Sequence, residues 1–334
     1  MPYIPVTLLI IYSYLQTIMH RPIYWLSATR TWLTFLLLIS FSLSAPTLAQ
    51  TKRALLIGLG QQQDTAWDKI NGDKDVPYVR SLLKDAGYRH IATLVNSQAT
   101  KAGIVKAFMR LAAACRKGDV VYVHYSGHGQ QMTDRHNDER DGLDECWIPY
   151  DARRKASRTY HGERHLTDDE VNVYLNAIRR RIGDSSRLLV VLDACHSGDA
   201  TREDEDQYCV RGVEDTLVVD EPSTRGAEEA FEAMKAFFTG ERVVNPKAVP
   251  LPERWITISA CRSNQKNTEM RNPPMGKLTF ALCQEIRRGE RVNNEELMRR
   301  IRRTVCGKTR GSSQYPELSG EDKDRYYITD ILSK

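Results

Sequence analysis

No two of the seven cysteines stand in a Cys-x-x-Cys pair, which excludes a zinc ribbon and a thioredoxin-type redox motif. Charge of one sign is also scarce. Forty-eight basic residues against 43 acidic ones leave a net charge of only +5. The basic residues are scattered, and the short clusters Arg179-Arg180-Arg181 and Arg299-Arg300 read as solvated helix faces rather than a nucleic-acid stripe. Gly58 and Gly60 follow an apolar run, but no third glycine and no immediate helix complete a phosphate cradle. There is no internal repeat and no EF-hand spacing. The apolar stretch Trp32 to Leu43 falls short of the roughly 20 residues a spanning helix needs.

What is present is ordinary globular material: 334 residues, 41% hydrophobic and 27% charged, enough for one large α/β domain or two small ones. The first 49 residues stand apart. Arg21 and Arg30 precede the apolar stretch, which ends in Ala45-Pro46-Thr47-Leu48-Ala49. A basic region, a run of a dozen apolar residues and a small-residue site read as a signal peptide cut after Ala49, or after Ala45. Initiation at Met19 would give it the usual length, and an uncleaved membrane anchor is the alternative. Either way the rest is expected outside the cytoplasm, secreted or periplasmic, of a bacterium. The odd cysteine count leaves at least one thiol unpaired in a monomer. Cys115, Cys146 and Cys283 sit in apolar patterns and read as buried small hydrophobes.

Two stretches carry the chemistry. Leu188 to Leu192 is a continuous apolar run, the mark of a strand buried on both faces, and it stops at Asp193-Ala194-Cys195-His196-Ser197-Gly198. Val120 to Tyr125 is a second such run, ending in Ser126-Gly127-His128-Gly129. The carboxyl ends of strands are where open α/β sheets bind ligands. A thiol and an imidazole delivered there suit a nucleophile and its acid-base partner. A buried structural cysteine, or His196 as the base, are the competing readings. Asp193 and Ser126 lie two positions before Cys195 and His128, so period-two alternation turns them to the same side as that pair. A carboxylate there suits a Lys or Arg side chain of a substrate.

HYSGHG followed by LDACHSG resembles the caspase superfamily, specifically its metacaspase-like branch of the bacterial orthocaspase type. DGLDECWIPYD (Asp141 to Asp151), LTDDE (Leu166 to Glu170), WITISAC (Trp255 to Cys261) and GKLTFAL (Gly276 to Leu282) extend the resemblance from about Lys52 to the C-terminus. It implies a three-layer fold, a mostly parallel central sheet with helices on both faces. It also implies a cysteine endopeptidase with a Cys195–His128 dyad and the N–H groups of Gly129 and Cys195 as oxyanion hole. In that family an early aspartate joins Asp193 and Ser126 in a pocket for basic residues. Asp75 matches it, although Gly72 stands where a cysteine is usual, and the competing reading of Asp75 is a helix N-cap. Asp144, Asp168 and Asp169 match calcium positions, with Asp199 or Glu203 as stand-ins for a further ligand; Asp134, Asp138 and Asp141 enrich the same loops. The chemistry itself requires no cofactor. Cys261 is expected to be structural.

Alternation of strand and helix supports that fold class independently. Strands are expected at 53–59, 91–95, 119–125, 145–149, 187–193 and 254–260, and helices at 75–86, 100–115, 167–181, 277–288 and 294–304. Residues 201–252 break the alternation as an insertion, with one amphipathic helix over 227–238. It holds candidate self-cleavage sites at Arg202, Arg211, Arg225, Lys235, Arg242 and Lys247. The expected protein is a monomer acting on protein or peptide substrates with a basic residue before the cut, and binding neither nucleic acid nor, once the leader is removed, a membrane. A non-catalytic peptide-binding module, and another acyl-transfer activity or a cleft for acidic substrates, are the alternatives.

Overall fold

The structure, a computed structural model, describes residues 50–134, 139, 141–195, 209–213, 215–219, 236, 253–262, 265–307 and 314–333. The leader or anchor at 1–49 lies outside the described residues, as does nearly all of the helix expected at 227–238. Among the described residues no helix is long and apolar enough to cross a membrane.

The centre of the fold is β3 (Val120–Ser126), buried along its whole length. β7 (Arg187–Asp193) lies parallel on one side and β1 (Lys52–Gly58) parallel on the other. β2 (His90–Val95) extends the sheet beyond β1, and β8 (Ile256–Ser259) extends it beyond β7. β11 (Glu317–Ser319) closes that edge antiparallel, giving the order β11-β8-β7-β3-β1-β2. Apolar side chains alternate between two cores. Leu56, Tyr122, Leu189 and Val191 face α1 (Gly72–Asp85), α4 (Lys277–Arg288), α5 (Asn294–Cys306) and the short α6 (Ile328–Leu332). Leu55, Val121, Val123 and Val190 face α2 (Lys101–Ala114) and α3 (Asp168–Ile182). Each buried Leu, Ile or Val contributes about 1.5–3 kcal/mol, so both faces of the sheet need their helices. This is the three-layer, mostly parallel α/β architecture expected from the sequence.

Local signals set the helix ends. Thr100 caps α2 by accepting from the Gly103 N–H, and Thr167 with Glu170 forms a capping box on α3. α1 starts three residues earlier than its apolar spacing suggests, so Asp75 lies inside the first turn and Asn71 takes the cap position. A side chain at Gly72 would collide with the carbonyls of Leu59 and Ser126. Glycine therefore lets the start of α1 press directly against the end of β3.

Short strands other than the one expected at 145–149 escaped the sequence pattern. β4 (Gly129–Thr133), β5 (Leu143–Trp147) and β6 (Leu166–Thr167) form a small antiparallel sheet beside the end of β3, and β9 (Glu269–Arg271) pairs with β10 (Pro274–Gly276).

Candidate active site

The register Gly58↔Ser126↔Asp193 brings the ends of β1, β3 and β7 level. His128 and Cys195 each follow two residues later, and the Gly127 N–H donates to the Asp193 carbonyl at 3.4 Å, tying the two loops. The two side chains are thus carried side by side on adjacent strands, and both are buried.

His128 Nε2 lies 2.8 Å from the Asp68 carbonyl. A carbonyl only accepts, so Nε2 carries the hydrogen and Nδ1 keeps a lone pair. Nδ1 is buried and takes no hydrogen-bond partner among the described residues. Trp67 lies over the ring, centroids 5.2 Å apart. Burial drives the imidazole down to about 4, against the upward pull of the Asp68 carbonyl. At neutral pH the ring is an uncharged base.

Cys195 is held through both its backbone and its thiol. Its N–H donates to the Arg211 carbonyl at 2.8 Å. Its thiol donates to the Gln265 carbonyl at 2.5 Å, which holds the proton on sulfur. Cys261 sits beside it and also donates to Gln265, at 3.3 Å. A hydrogen bond with Cys195, then burial, keeps the Cys261 thiol well above its ordinary value, as befits an inert neighbour. None of the seven cysteines is in a disulfide.

Asp75, Ser126 and Asp193 meet in one fully buried pocket. Asp75 accepts from the Ser126 hydroxyl and from the Gly276 N–H at 3.1 Å. Asp193 accepts from the Thr279 N–H (2.9 Å) and hydroxyl (2.6 Å) at the start of α4, and from Asn267 Nδ2 (2.7 Å). It thereby caps a helix whose own N-cap, Gly276, has no side chain. Burial acts to raise the Asp193 carboxyl, but Arg211 and these donors outweigh it and hold the group below the usual range. Asp75, with fewer donors, is pushed up by burial to about 6 although Arg211 pulls it down.

The pocket is filled by the chain's own Arg211, which is 0% exposed. Its Nη1 lies 2.8 Å from Asp75, 3.3 Å from Asp193 and 2.5 Å from the Ser126 hydroxyl, and its Nε 2.8 Å from Glu269. Glu269 also accepts from the Asn71 N–H at 2.7 Å. The backbone around Arg211 runs antiparallel to the segment entering β9. The Arg211 N–H donates to the Asn267 carbonyl (2.8 Å), the Glu269 N–H donates to the Cys209 carbonyl (3.0 Å), and Val210 pairs with Thr268. Gly212 follows so closely that a Cβ there would stand 3.0 Å from the Cys195 Cβ and 2.5 Å from its carbonyl oxygen. A peptide segment thus lies across the strand ends, its arginine in an acidic pocket and that arginine's carbonyl on the Cys195 amide.

Residues 51–327 match the family model described as the caspase domain. The chain belongs to the caspase-domain family. It is 26% identical over 302 residues to Metacaspase-1B of Neosartorya fischeri, covering 80% of this chain and 68% of that one. It is 33% identical over 161 residues to Metacaspase-1A of Aspergillus oryzae, covering 45% and 35%. Among solved structures, protein GSU0716 from Geobacter sulfurreducens superposes with a TM-score of 0.53 at 24% identity, over 80% of this chain and 92% of that one. This caspase-domain protein is thus metacaspase-like and a cysteine endopeptidase, which sets aside the non-catalytic alternative.

Gly129 directly follows His128 at the cleft, and the expected calcium residues stand on other elements. Gly129 opens β4 opposite Trp147. Asp144 is in β5, while Asp168 and Asp169 begin α3. Burial, then Asp169, Glu145, Asp144 and Glu139, raise Asp168 well above the carboxylate range, and its Oδ1 is buried with no hydrogen-bond partner among the described residues. Oxygen donors suit calcium in kind, but among the described residues no three acid, histidine or cysteine side chains gather into a metal site. Asp134 accepts from the Glu139 N–H and Asp141 from the Leu143 N–H, as loop-closing acids do. His196, Asp138, Asp199 and Glu203 lie outside the described residues, as do the cleavage candidates other than Arg211.

Glu269, Asn267 and Thr279 are the pocket residues that sequence reasoning missed. Glu269 and Asn267 stand in a stretch without periodicity, and Thr279 is one more residue of an amphipathic helix. The run Lys266-Asn267-Thr268-Glu269 was the available signal, four polar or charged side chains in succession that the fold buries.

Proposed function

We propose that this endopeptidase cuts after arginine or lysine, and that its first substrate is its own bond between Arg211 and Gly212. The observation that carries the reading is the seating of Arg211, guanidinium among Asp75, Asp193 and Glu269 and carbonyl on the Cys195 N–H. Buried carboxylates without a cation are costly, so the pocket is built for a basic side chain.

Cys195 is the nucleophile and His128 its base. Nδ1 of His128 takes the thiol proton once the sulfur turns from the Gln265 carbonyl. The sulfur adds to the Arg211 carbonyl carbon, and the Cys195 N–H stabilises the oxyanion, with the Gly129 N–H as second donor. The C–N bond to Gly212 breaks as His128 returns the proton to the leaving amine. Water, deprotonated by His128, then adds to the thioester carbon, and the C–S bond breaks to release the carboxylate and restore the thiol.

Calcium has no step in this chemistry. The carboxylate repulsion that raises Asp168, and its buried Oδ1, support a role for the cation in settling that loop, with Asp144 and Asp169 as neighbours. One peptide panel tests these points. The wild type is expected to cut short Arg and Lys peptides and leave Asp peptides intact. Cys195→Ala loses on the order of 10⁶ in rate, as removal of a covalent nucleophile does. Added calcium raises the wild-type rate and leaves Asp168→Asn unmoved. Cleavage of Asp peptides, or of none, overturns the assignment.

Export, and membership of a bacterial branch, rest on residues 1–49. N-terminal sequencing of protein recovered outside the cytoplasm is expected to begin at Gln50; a product still carrying Trp32–Leu43 argues for the anchor.

A further inference from the structure

Beyond Arg211 the described residues 212–213 and 215–219 lie along the small sheet. Val213, Leu217 and Val219 are buried in one cluster with Trp67, Met132, Cys146, Ile148 and Ala152. The backbone is held as well. The Leu217 N–H donates to the Gln131 carbonyl (2.8 Å), and the Thr133 N–H donates to the Leu217 carbonyl (3.2 Å). Met132 pairs with Leu217 as in a parallel sheet, so the segment adds to the free edge of β4. Gln130, fully buried, donates from Nε2 to the Asp215 carbonyl at 2.7 Å, while its oxygen lies 2.9 Å from His165 Nε2, itself a partner of the Tyr160 hydroxyl. A buried polar chain thus ends on the backbone of the docked segment.

From this we infer that the cleft has a specificity-determining site on the leaving-group side of the scissile bond, for a peptide with glycine directly after the basic residue and an apolar residue next. The inference rests on the reading of Arg211–Gly212 as the bond cut. Two separate observations carry it. At the first position after the bond, a Cβ would run into the Cys195 backbone, so only glycine fits this pose. At the second, Val213 enters the apolar cluster to which Trp67 belongs, and the Trp67 ring also lies against His128. A polar or charged side chain there would leave water for an apolar pocket without a partner. Trp67 thereby links the apolar site to the base, and a well-seated second residue holds the imidazole under its indole.

The test uses the full chain and follows the cut at residue 211 by mass spectrometry. Val213→Ile is expected to cut within about twofold of the wild-type rate, while Val213→Asp and Gly212→Val each slow it by about tenfold or more, the range over which an apolar pocket discriminates. In parallel, peptides of common sequence ending Arg-Gly-Val, Arg-Gly-Asp and Arg-Val-Val past the cut are given to the enzyme, with a short arginine substrate that has no residues beyond the bond. The Arg-Gly-Val peptide should lead the other two by about tenfold in kcat/KM. Equal rates across the three peptides, with the short arginine substrate cut normally, overturn this inference and leave the basic pocket intact. Failure to cut the short arginine substrate overturns the reading beneath it.

Discussion

Arg211→Ala is expected to leave the chain uncut between residues 211 and 212 and yet to act on short arginine peptides without delay. In the wild type the acidic pocket is closed by a guanidinium from the same chain, with three carboxylates around it. A tethered occupant acts at an effective concentration in the mM range, so a peptide in solution is excluded until the bond is cut. Wild-type progress curves should therefore begin with a lag that follows appearance of the fragment, and trans activity in the lag should be at least about tenfold below its final value. Removing the guanidinium leaves the carboxylates without a cation, which costs about 3–5 kcal/mol while they stay closed off from water. The segment 209–213 is then released and the pocket opens. Arg211→Lys keeps both the cut and the lag, since an ammonium satisfies the same charges with fewer donors. A lag in Arg211→Ala equal to that of wild type, or a cut at the same bond, rules out the arrangement drawn here.

The parts of the molecule legible in the sequence are those written in runs. β3 and β7 are continuous apolar stretches that stop at glycine-flanked His128 and at Cys195, and hydrophobic burial permits little else. Period two then turned Ser126 and Asp193 to the same side as the reactive pair. Asp75 was located through resemblance, and its place in the pocket comes from Gly72, which lets α1 approach β3 where a bulkier residue would not. What stayed hidden depends on long-range juxtaposition. Glu269 reaches the pocket only because the segment 265–271 turns back beside Cys209–Arg211, and no local period records that pairing. Arg211 was one of several basic residues in an irregular stretch. Nothing in its neighbours distinguishes it until the carboxylates are in view. Of the small sheet, β5 was expected two residues late, while β4 and β6 escaped because two- to five-residue pieces with mixed polarity carry almost no periodic signal.

The three acids of the pocket differ in what holds them, and substitution should separate their roles. Asp193 has donors from Thr279 and Asn267 as well as Arg211, and it stays below the usual carboxylate range. It is the permanent charge, and Asp193→Asn should cut kcat/KM for arginine peptides by about 10²–10³, the equivalent of about 3–4 kcal/mol lost with one partner of a buried pair. Circular dichroism checks the fold, because the same residue caps α4. Asp75 behaves differently. Burial, with Asp193 adding to it, places its carboxyl at about 6 with the arginine seated, despite the opposing pull of Arg211 and Ser126. Below that pH it is protonated and the guanidinium loses one counter-charge; above it the pocket is fully charged. Self-cleavage starts from the seated state, so its first-order rate should rise with pH through about 6. His128, driven down to about 4, is already unprotonated there and cannot set this limb. In Asp75→Asn the rate should be lower by about tenfold and flat between about pH 5 and 7, with the remaining fall displaced toward the range of His128. A limb near 6 that survives Asp75→Asn would assign the titration to another group and remove Asp75 from the recognition of the arginine.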